Sequence, residues 1–370
     1  MSLRRARPAG KAQLGTVRSL RKDVNPVSYA RIGAVVEQFH RASVCCVGDV
    51  MLDHFVYGTV SRISPEAPVP VLRIERQQSM LGGAGNAVRN LTALACAVRF
   101  FSVTGEDRPA AEIHSMLNAL PRAISHLETD RGRETTTKTR YVAGSQQIMR
   151  ADLESSDPVP RSLVDSLCSS VAGALAECDV LLLSDYAKGL LAAGHAQRFI
   201  QIARDAGKPV IVDPKGLDFH RYDGATLIKP NLKELGEAVG LPVATAEQQE
   251  AAAHRLAAQI DVPYLLVTCG AAGMLLLSRP REIRRLPALA REVFDVSGAG
   301  DTVAAVLAAA LASGADIYQA AAAANLAAGI AVAKRGTAVV TTAEITHELQ
   351  QRSLATIPEE APGHDSFGPP

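Results

Sequence analysis

The 370-residue chain is predicted to fold as an α/β domain, a mostly parallel central sheet flanked by helices, with a small β-sheet lid beside it. Three observations predict this. From residue 163 onward, short apolar runs alternate with helix-forming stretches, and that rhythm implies right-handed crossovers and a parallel sheet. Around residues 54–76 and 135–148 the pattern changes to alternation, with Pro65, Pro68 and Pro70 confining the first stretch to edge strands or loops. Two Gly-rich turns, Leu81-Gly82-Gly83-Ala84-Gly85-Asn86 and Ser297-Gly298-Ala299-Gly300, each open a helical run.

Composition bounds the rest. With 47% hydrophobic and 21% charged residues the chain can bury a sizeable core. A net charge of +1 gives no general attraction for nucleic acid, and 4% aromatics without Trp leaves few platforms for stacking bases. Cys45, Cys46, Cys96, Cys168, Cys178 and Cys269 sit mostly in apolar runs and form no Cys-x-x-Cys pair. They read as reduced, buried thiols of a cytoplasmic protein. The apolar segment Val303–Ala333 is interrupted by Ser313, Asp316, Gln319 and Asn325, which predicts two buried helices and not a membrane span. Residues 1–27 are basic and broken by Pro and Gly, and read as a disordered tail. Residues 28–349 form the folded domain, and 350–370 are polar and Pro-rich, a second disordered tail.

Taken in order, Ser28–His40 has near-helical spacing. Val44–Val47 is a buried strand ended by Gly48-Asp49, which Val50–Asp53 continues. After the lid segment and the first Gly-rich turn come a helix over Val88–Ala95, a strand over Val98–Val103 and a helix over Glu112–Leu120. Thr135–Val142 alternates as a half-exposed strand does, and Leu163–Ala176 is helical. Strands at Asp179–Asp185, Pro209–Asp213, Ala225–Ile228 and Tyr264–Thr268 then alternate with helices at Ala192–Ala206, Leu232–Val239 and Ala246–Gln259. Met274–Leu277 and Ile283–Leu286 make a hairpin.

The chemistry gathers at strand ends. Asp49, Ser184-Asp185, Asp213-Pro214-Lys215, Lys229-Pro230-Asn231 and Thr268 all follow predicted strands, at the edge where open α/β sheets bind ligands. Ser297–Gly300 feeds a helix N-terminus, whose unpaired N–H groups and dipole suit a phosphate or a developing anion. Asp301 beside it is either an ordinary first-turn acid or a base that takes a proton from an attacking hydroxyl. Carboxylates, amides and lysines around two anion-capable turns suggest phosphoryl transfer, and the chain has no P-loop. Gly82–Asn86 lacks the preceding buried strand and the later acidic ribose reader of a dinucleotide fingerprint, and Asn86 suits a sugar hydroxyl. Asn231 and Glu234 share a helix face, either as Mg²⁺ ligands or as a capping box. Lys188 and Lys215 are surface lysines or phosphate contacts. Arg140 reaches the sugar or pairs across its strand, and Asn325 sits near a base or bonds a carbonyl.

The stretch Asp295–Thr302 resembles the second signature of the PfkB (ribokinase-like) carbohydrate kinases, and Gly82-Gly83-Ala84-Gly85-Asn86 resembles their first. Cys96-Ala97 departs from the Gly that usually ends that helix. Gly48–Asp53, Ser61–Pro70, Ser184–Gly189 and Val212–Gly216 are similar to the D-glycero-β-D-manno-heptose-7-phosphate 1-kinases within that family. The likeness covers roughly residues 44–345. The resemblance implies a ribokinase-like fold and transfer of phosphate from ATP, with Mg²⁺ and a monovalent cation such as K⁺ as further candidates. It makes Asp301 the base and has Gly298, Ala299 and Gly300 hold the transferring charge. Asn231 and Glu234 organise Mg–ATP through water, and Lys229, Thr268, Gly270, Gly273 and Asn325 serve the nucleotide. Asp49, Asp53, Gly82, Gly83 and Asn86 grip the sugar, and Arg140, Lys188 and Lys215 its phosphate. It implies a small-molecule sugar phosphate as partner and no nucleic acid or membrane. It also implies a homodimer joined through the lids and a bacterial cytoplasmic location. No His-x-Gly-His motif of a second nucleotidyltransferase domain is present, so a single-function kinase is expected. The alternatives are another sugar kinase of fructokinase or phosphofructokinase type, and a non-catalytic sugar-binding regulator.

Overall fold

A computed structural model describes residues 29–355 except 145, 193, 281, 291 and 335. The two expected disordered tails therefore lie almost wholly outside the described residues. The chain enters through α1 (Tyr29–Glu37) and β1 (Ser43–Gly48), then leaves the main sheet along β2 (Val50–Ile63) and β3 (Pro70–Gly83). It returns in α2 (Ala84–Ala93), β4 (Ala97–Thr104), α3 (Arg108–Asn118) and β5 (Ala123–Thr129), and makes a second excursion in β6 (Thr137–Ala143) and β7 (Gln146–Leu153). Then follow α4 (Arg161–Leu175), β8 (Val180–Ser184), α5 (His195–Asp205), β9 (Val210–Asp213), β10 (Leu227–Ile228), α6 (Leu232–Val239), α7 (Ala246–Gln259) and β11 (Tyr264–Thr268). The hairpin β12 (Met274–Ser278) and β13 (Glu282–Leu286) precedes α8 (Ala299–Ala312), α9 (Ile317–Val332) and α10 (Thr342–Ala355).

Nine strands form one sheet in the order β13-β12-β11-β10-β9-β8-β1-β4-β5. It is parallel from β11 to β5, with the hairpin added antiparallel at one edge. The lid is a separate four-stranded sheet, β3-β2-β6-β7. The predicted fold is thus observed. Both faces of the main sheet are covered, as a parallel sheet requires. Along β1, Val44 and Cys46 pack into the core beneath α2, α8 and α9, while Cys45 and Val47 pack into the core beneath α4, α5 and α7. The six cysteines are all buried and free. The Ala-rich helices α8 and α9 lie side by side in the first core, because Ala lets helix axes approach closely; no described helix is long and apolar enough to cross a membrane.

Three expectations change. Val50–Asp53 does not prolong β1 but starts the lid, since the chain turns at Asp49 and pairs with β3 and β6. The stretch before the first Gly-rich turn, Gln77–Met80, lies in a lid strand open to solvent, so the expected lack of a buried apolar strand there holds. Strands β5 and β7 escaped the sequence pattern; every residue of β7 is exposed, so nothing selects for apolar alternation. The last helix runs to Ala355, past the expected end of the folded domain at 349, because Ile345 and Leu349 pack into the core with α1.

Candidate active site

The second Gly-rich turn makes the N-terminus of α8. Gly298 is its N-cap in the left-handed region at φ 77°, and an added Cβ there would lie 2.9 Å from the Asn86 amide nitrogen. Glycine is required by both constraints. The Ala299 N–H donates to the Val296 carbonyl at 3.3 Å, whereas the N–H groups of Gly300 and Asp301 have no partner among the described residues. The Lys229 ammonium would be 3.6 Å from a Cβ on Gly300, so a cation faces the same opening.

Asp301 is buried at the first turn of α8. One carboxylate oxygen accepts from the Asn86 amide at 2.7 Å, the other from the Tyr186 hydroxyl at 2.5 Å. Burial raises its pKa above the ordinary carboxylate value; the bonds from Tyr186 and Asn86 and the charge of Lys229 pull the other way. The phenol of Tyr186 is pushed far up by burial and then by the Asp301 charge, so it remains a donor. Asn86 is itself held by Arg89, whose guanidinium donates to the Asn86 side-chain oxygen Oδ1 at 3.1 Å. The two Gly-rich turns, 215 residues apart, are thus tied together at the carboxylate.

A cavity of about 770 Å³ opens beside this point. It gathers every residue expected at the nucleotide, Lys229, Asn231, Glu234, Thr268, Gly270, Gly273 and Asn325, together with the turn Gly298–Asp301; Lys215, expected at the sugar's phosphate, lies here instead. Lys229 is buried and bonded to Asp213 at 2.9 Å. Burial works to lower the Lys229 pKa, but Asp213, Glu234 and Asp301 outweigh it and the ammonium is held charged. Burial pushes Asp213 up to about 7, with Asp301 and Glu234 adding to the rise and Lys229 opposing it. Asn231 and Glu234 do form the capping box of α6, at 2.9 and 3.0 Å, and the other Glu234 oxygen accepts from Lys215 at 2.9 Å. The Asn325 amide donates to the Pro287 carbonyl at 2.8 Å, so the buried-amide alternative holds while the residue still lines the cavity. No group of three or more His, Cys, Asp or Glu among the described residues is placed to hold a metal ion. Three carboxylates facing two ammoniums do favour a further cation. Each oxygen of Asn231 and Glu234 keeps a lone pair beyond its capping bond, which fits a water-bridged Mg²⁺.

Of the residues expected at a sugar, Asp53, Gly82, Gly83 and Asn86 lie where the lid strands β2 and β3 meet α2. Gly82 allows Asp53 in: an added Cβ would meet that carboxylate at 2.4 Å. Gly83, at φ 56°, packs as closely on the Asp49 carbonyl, at 2.5 Å from where a Cβ would be. Arg140 crosses from β6 to bond Asp53 at 2.6 Å, so the cross-strand pairing with an acidic neighbour is present. Asp49 is corrected. Its oxygens accept the backbone N–H groups of Tyr186, Lys188 and Leu190, at 3.0, 3.0 and 3.2 Å, so it shapes the loop that carries Tyr186 and does not point at a ligand. Burial, then the Asp185 charge, raises Asp49 to about 6. Lys188 is ion-paired with Glu154 at 2.8 Å.

A family model described as pfkB family carbohydrate kinase matches residues 41–343. The chain belongs to that family. It is 50% identical over 319 residues to bifunctional protein HldE of Paramagnetospirillum magneticum, covering 86% of this kinase and 65% of that protein. It is 50% identical over 309 residues to bifunctional protein HldE of Caulobacter vibrioides, covering 83% and 63%. The chain thus spans about two thirds of the length of these relatives. Among solved structures the fold is shared with Arabidopsis thaliana ribokinase complexed with ribose and ATP, at a TM-score of 0.66 and 19% identity over 84% of this kinase and 99% of that one. It is shared equally with Escherichia coli phosphofructokinase-2 in complex with potassium, at 0.69 and 18%, over 84% and 99%.

Sequence reasoning missed Tyr186, Arg89 and the partner of Lys229. Tyr186 stood in the quoted run after β8, and its place directly behind a strand end was the available clue. Arg89 had none, because its role depends on α2 lying against the loop at Thr337, whose carbonyl it also reaches at 3.4 Å. With these in place, the site holds a buried carboxylate, two N–H groups without a partner among the described residues and a charged lysine around one point, groups able to deprotonate a hydroxyl and steady a transferring phosphoryl group.

Proposed function

We propose that this chain transfers the γ-phosphoryl group of ATP to the anomeric hydroxyl of D-glycero-β-D-manno-heptose 7-phosphate. The product is the 1,7-bisphosphate, used for ADP-heptose and lipopolysaccharide core synthesis. The observation that carries the reading is Asp301, buried and doubly hydrogen-bonded at a helix N-terminus whose free N–H groups face Lys229. The choice of sugar rests on the heptose-kinase motifs and on similarity to the HldE proteins. Asp301 takes the proton of the hydroxyl. The N–H groups of Gly300 and Asp301 and the ammonium of Lys229 hold the developing charge. Asp53, Gly82, Gly83 and Asn86 orient the sugar. Asn231 and Glu234 hold Mg²⁺ through water, and the ion when bound neutralises phosphate charge. The enzyme works in the bacterial cytoplasm as a homodimer joined through its lids, whose Ile63, Ile74 and Met149 are at least half exposed, at 60%, 50% and 52%.

The test is a panel of sugars and sugar phosphates with ATP, including the heptose with and without its 7-phosphate. Turnover restricted to heptose 7-phosphate is expected. Preference for fructose or fructose 6-phosphate would move the chain to the fructokinase or phosphofructokinase type, and no turnover with any sugar would return it to a non-catalytic sugar binder.

A further inference from the structure

Glu154 lies where β7 leaves the lid, and one of its oxygens, Oε2, accepts from two ammoniums at once. Lys138 of β6 is 2.8 Å from it and Lys188, in the loop after β8, is also 2.8 Å from it. Both lysine side chains are only 16% exposed, against 35% for Glu154. Two mostly buried cations are therefore aimed at one point that is filled by the more exposed group. Lys138 is further held by Asp152 at 2.9 Å, and the backbone of Lys188 is pinned by Asp49 at 3.0 Å.

That point lies against the sugar side of the site. Lys138 stands directly opposite Asp53 in the β2–β6 ladder. Lys188 is two residues from Tyr186, whose hydroxyl bonds the base Asp301. The two lysines thus reach the same spot from the lid and from the main sheet. Arg140, by contrast, is committed to Asp53 at 2.6 Å and lies over the Phe55 ring at 5.1 Å.

We propose that Glu154 is a built-in stand-in for the distal phosphate of the substrate, and that Lys138 and Lys188 form the seat that the phosphate takes when it displaces this carboxylate. The inference rests on the reading of the substrate as a sugar phosphate. Charged hydrogen bonds from two ammoniums to a phosphate dianion exceed those to a monoanionic carboxylate. A neutral sugar brings nothing that competes for the lysines and leaves Glu154 in place, so the arrangement selects phosphorylated sugars. Displacement also frees the link between lid and body, because Glu154 joins Lys138 on one to Lys188 on the other.

The experiment uses the full chain and two probes. Inorganic phosphate is titrated by isothermal calorimetry into wild type, Glu154→Gln, Lys138→Ala and Lys188→Ala. Steady-state kinetics are then measured with heptose 7-phosphate, with the KM for ATP as control. Removing the competing charge is expected to tighten phosphate and lower the KM for the sugar phosphate by about three- to tenfold, the size expected for two partly exposed ion pairs. Each lysine variant is expected to weaken both by about ten- to a hundredfold. If Glu154 is only a latch between lid and body, Glu154→Gln raises the KM for sugar phosphate and ATP together and leaves phosphate binding unchanged, and the proposal falls. If wild type ignores heptose 7-phosphate but Glu154→Gln still tightens inorganic phosphate, the seat stands and the identity of the sugar falls instead.

Discussion

At the scale of single residues the site is governed by burial. Asp301 is a carboxylate whose charge the fold makes costly, and a base held above its ordinary pKa is better matched to a hydroxyl proton at neutral pH. Asp301→Asn should fold, bind ATP and lose about 10²- to 10⁴-fold in kcat, the usual value of a general base. Activity should fall as pH drops through the raised Asp301 pKa. Tyr186→Phe removes a hydrogen bond that holds this pKa down, so the acid limb of kcat/KM should move to higher pH. A pH–rate profile of the two proteins checks this, and an unmoved limb would separate Tyr186 from the base. The same burial has a stability sign. Asp49 and Asp213 rise from 3.8 to about 6 and about 7, and Asp301 also rises. An acid with a raised folded pKa contributes stability fully below its unfolded value and loses it as pH rises through the folded one. His195, lowered first by burial, acts in the opposite sense over part of that range. Three groups against one predict that the urea midpoint falls between about pH 5 and 7.5, where the depressed carboxylates such as Glu154 and Asp295 are already ionised.

At the scale of elements, the first turn of α8 is constrained by its N-cap glycine. Gly298→Ala puts a methyl group into a left-handed residue and against the Asn86 amide at 2.9 Å. The backbone cost is about 1–2 kcal/mol. The rate should suffer more than the fold, by about tenfold or beyond, since Asn86 orients Asp301 and small misplacements are expensive in catalysis. Comparing the melting temperature with kcat separates the two effects. The strands around this turn explain which elements were legible. β8, β9 and β11 are short runs buried on both faces, so apolar residues must be continuous there. β7 lies at a lid edge with no core behind it, and β5 at the edge of the main sheet, so their sequences are free of that demand.

At the scale of the whole molecule the lid is the open question the fold poses. Its outer strands β3 and β7 present unpaired edges, and Ile63, Ile74, Met149 and Leu153 stand exposed on it. Natural proteins blunt or cover such edges, and the proposed partner is a second copy of this chain. Light scattering at micromolar concentration should give a dimer, and Ile74→Lys with Met149→Lys should give a monomer that keeps its fold. A monomeric wild type would leave the lid's apolar residues without a partner of the proposed kind.

The sequence by itself determined the class of fold, the parallel order of chemistry along strand ends, the two Gly-rich turns and the place of Asp301 in the first turn of a helix, because each depends on local pattern: continuous apolar strands, helix starts, and glycines that only a turn requires. It also determined that Asn231 and Glu234 share a helix face, since residues three apart lie close to one turn from each other. Tertiary structure alone decided what those groups touch. Asp49 looked like a ligand residue and became the anchor of a loop, because three amides from residues 186–190 surround it. Tyr186 and Asn86 met Asp301 from 115 and 215 residues away. Lys188 found Glu154 across the join between sheet and lid. Contacts of that kind follow from how layers stack and how far chains cross between them. A side chain carries no local mark of a partner that only the folded sheet brings within reach.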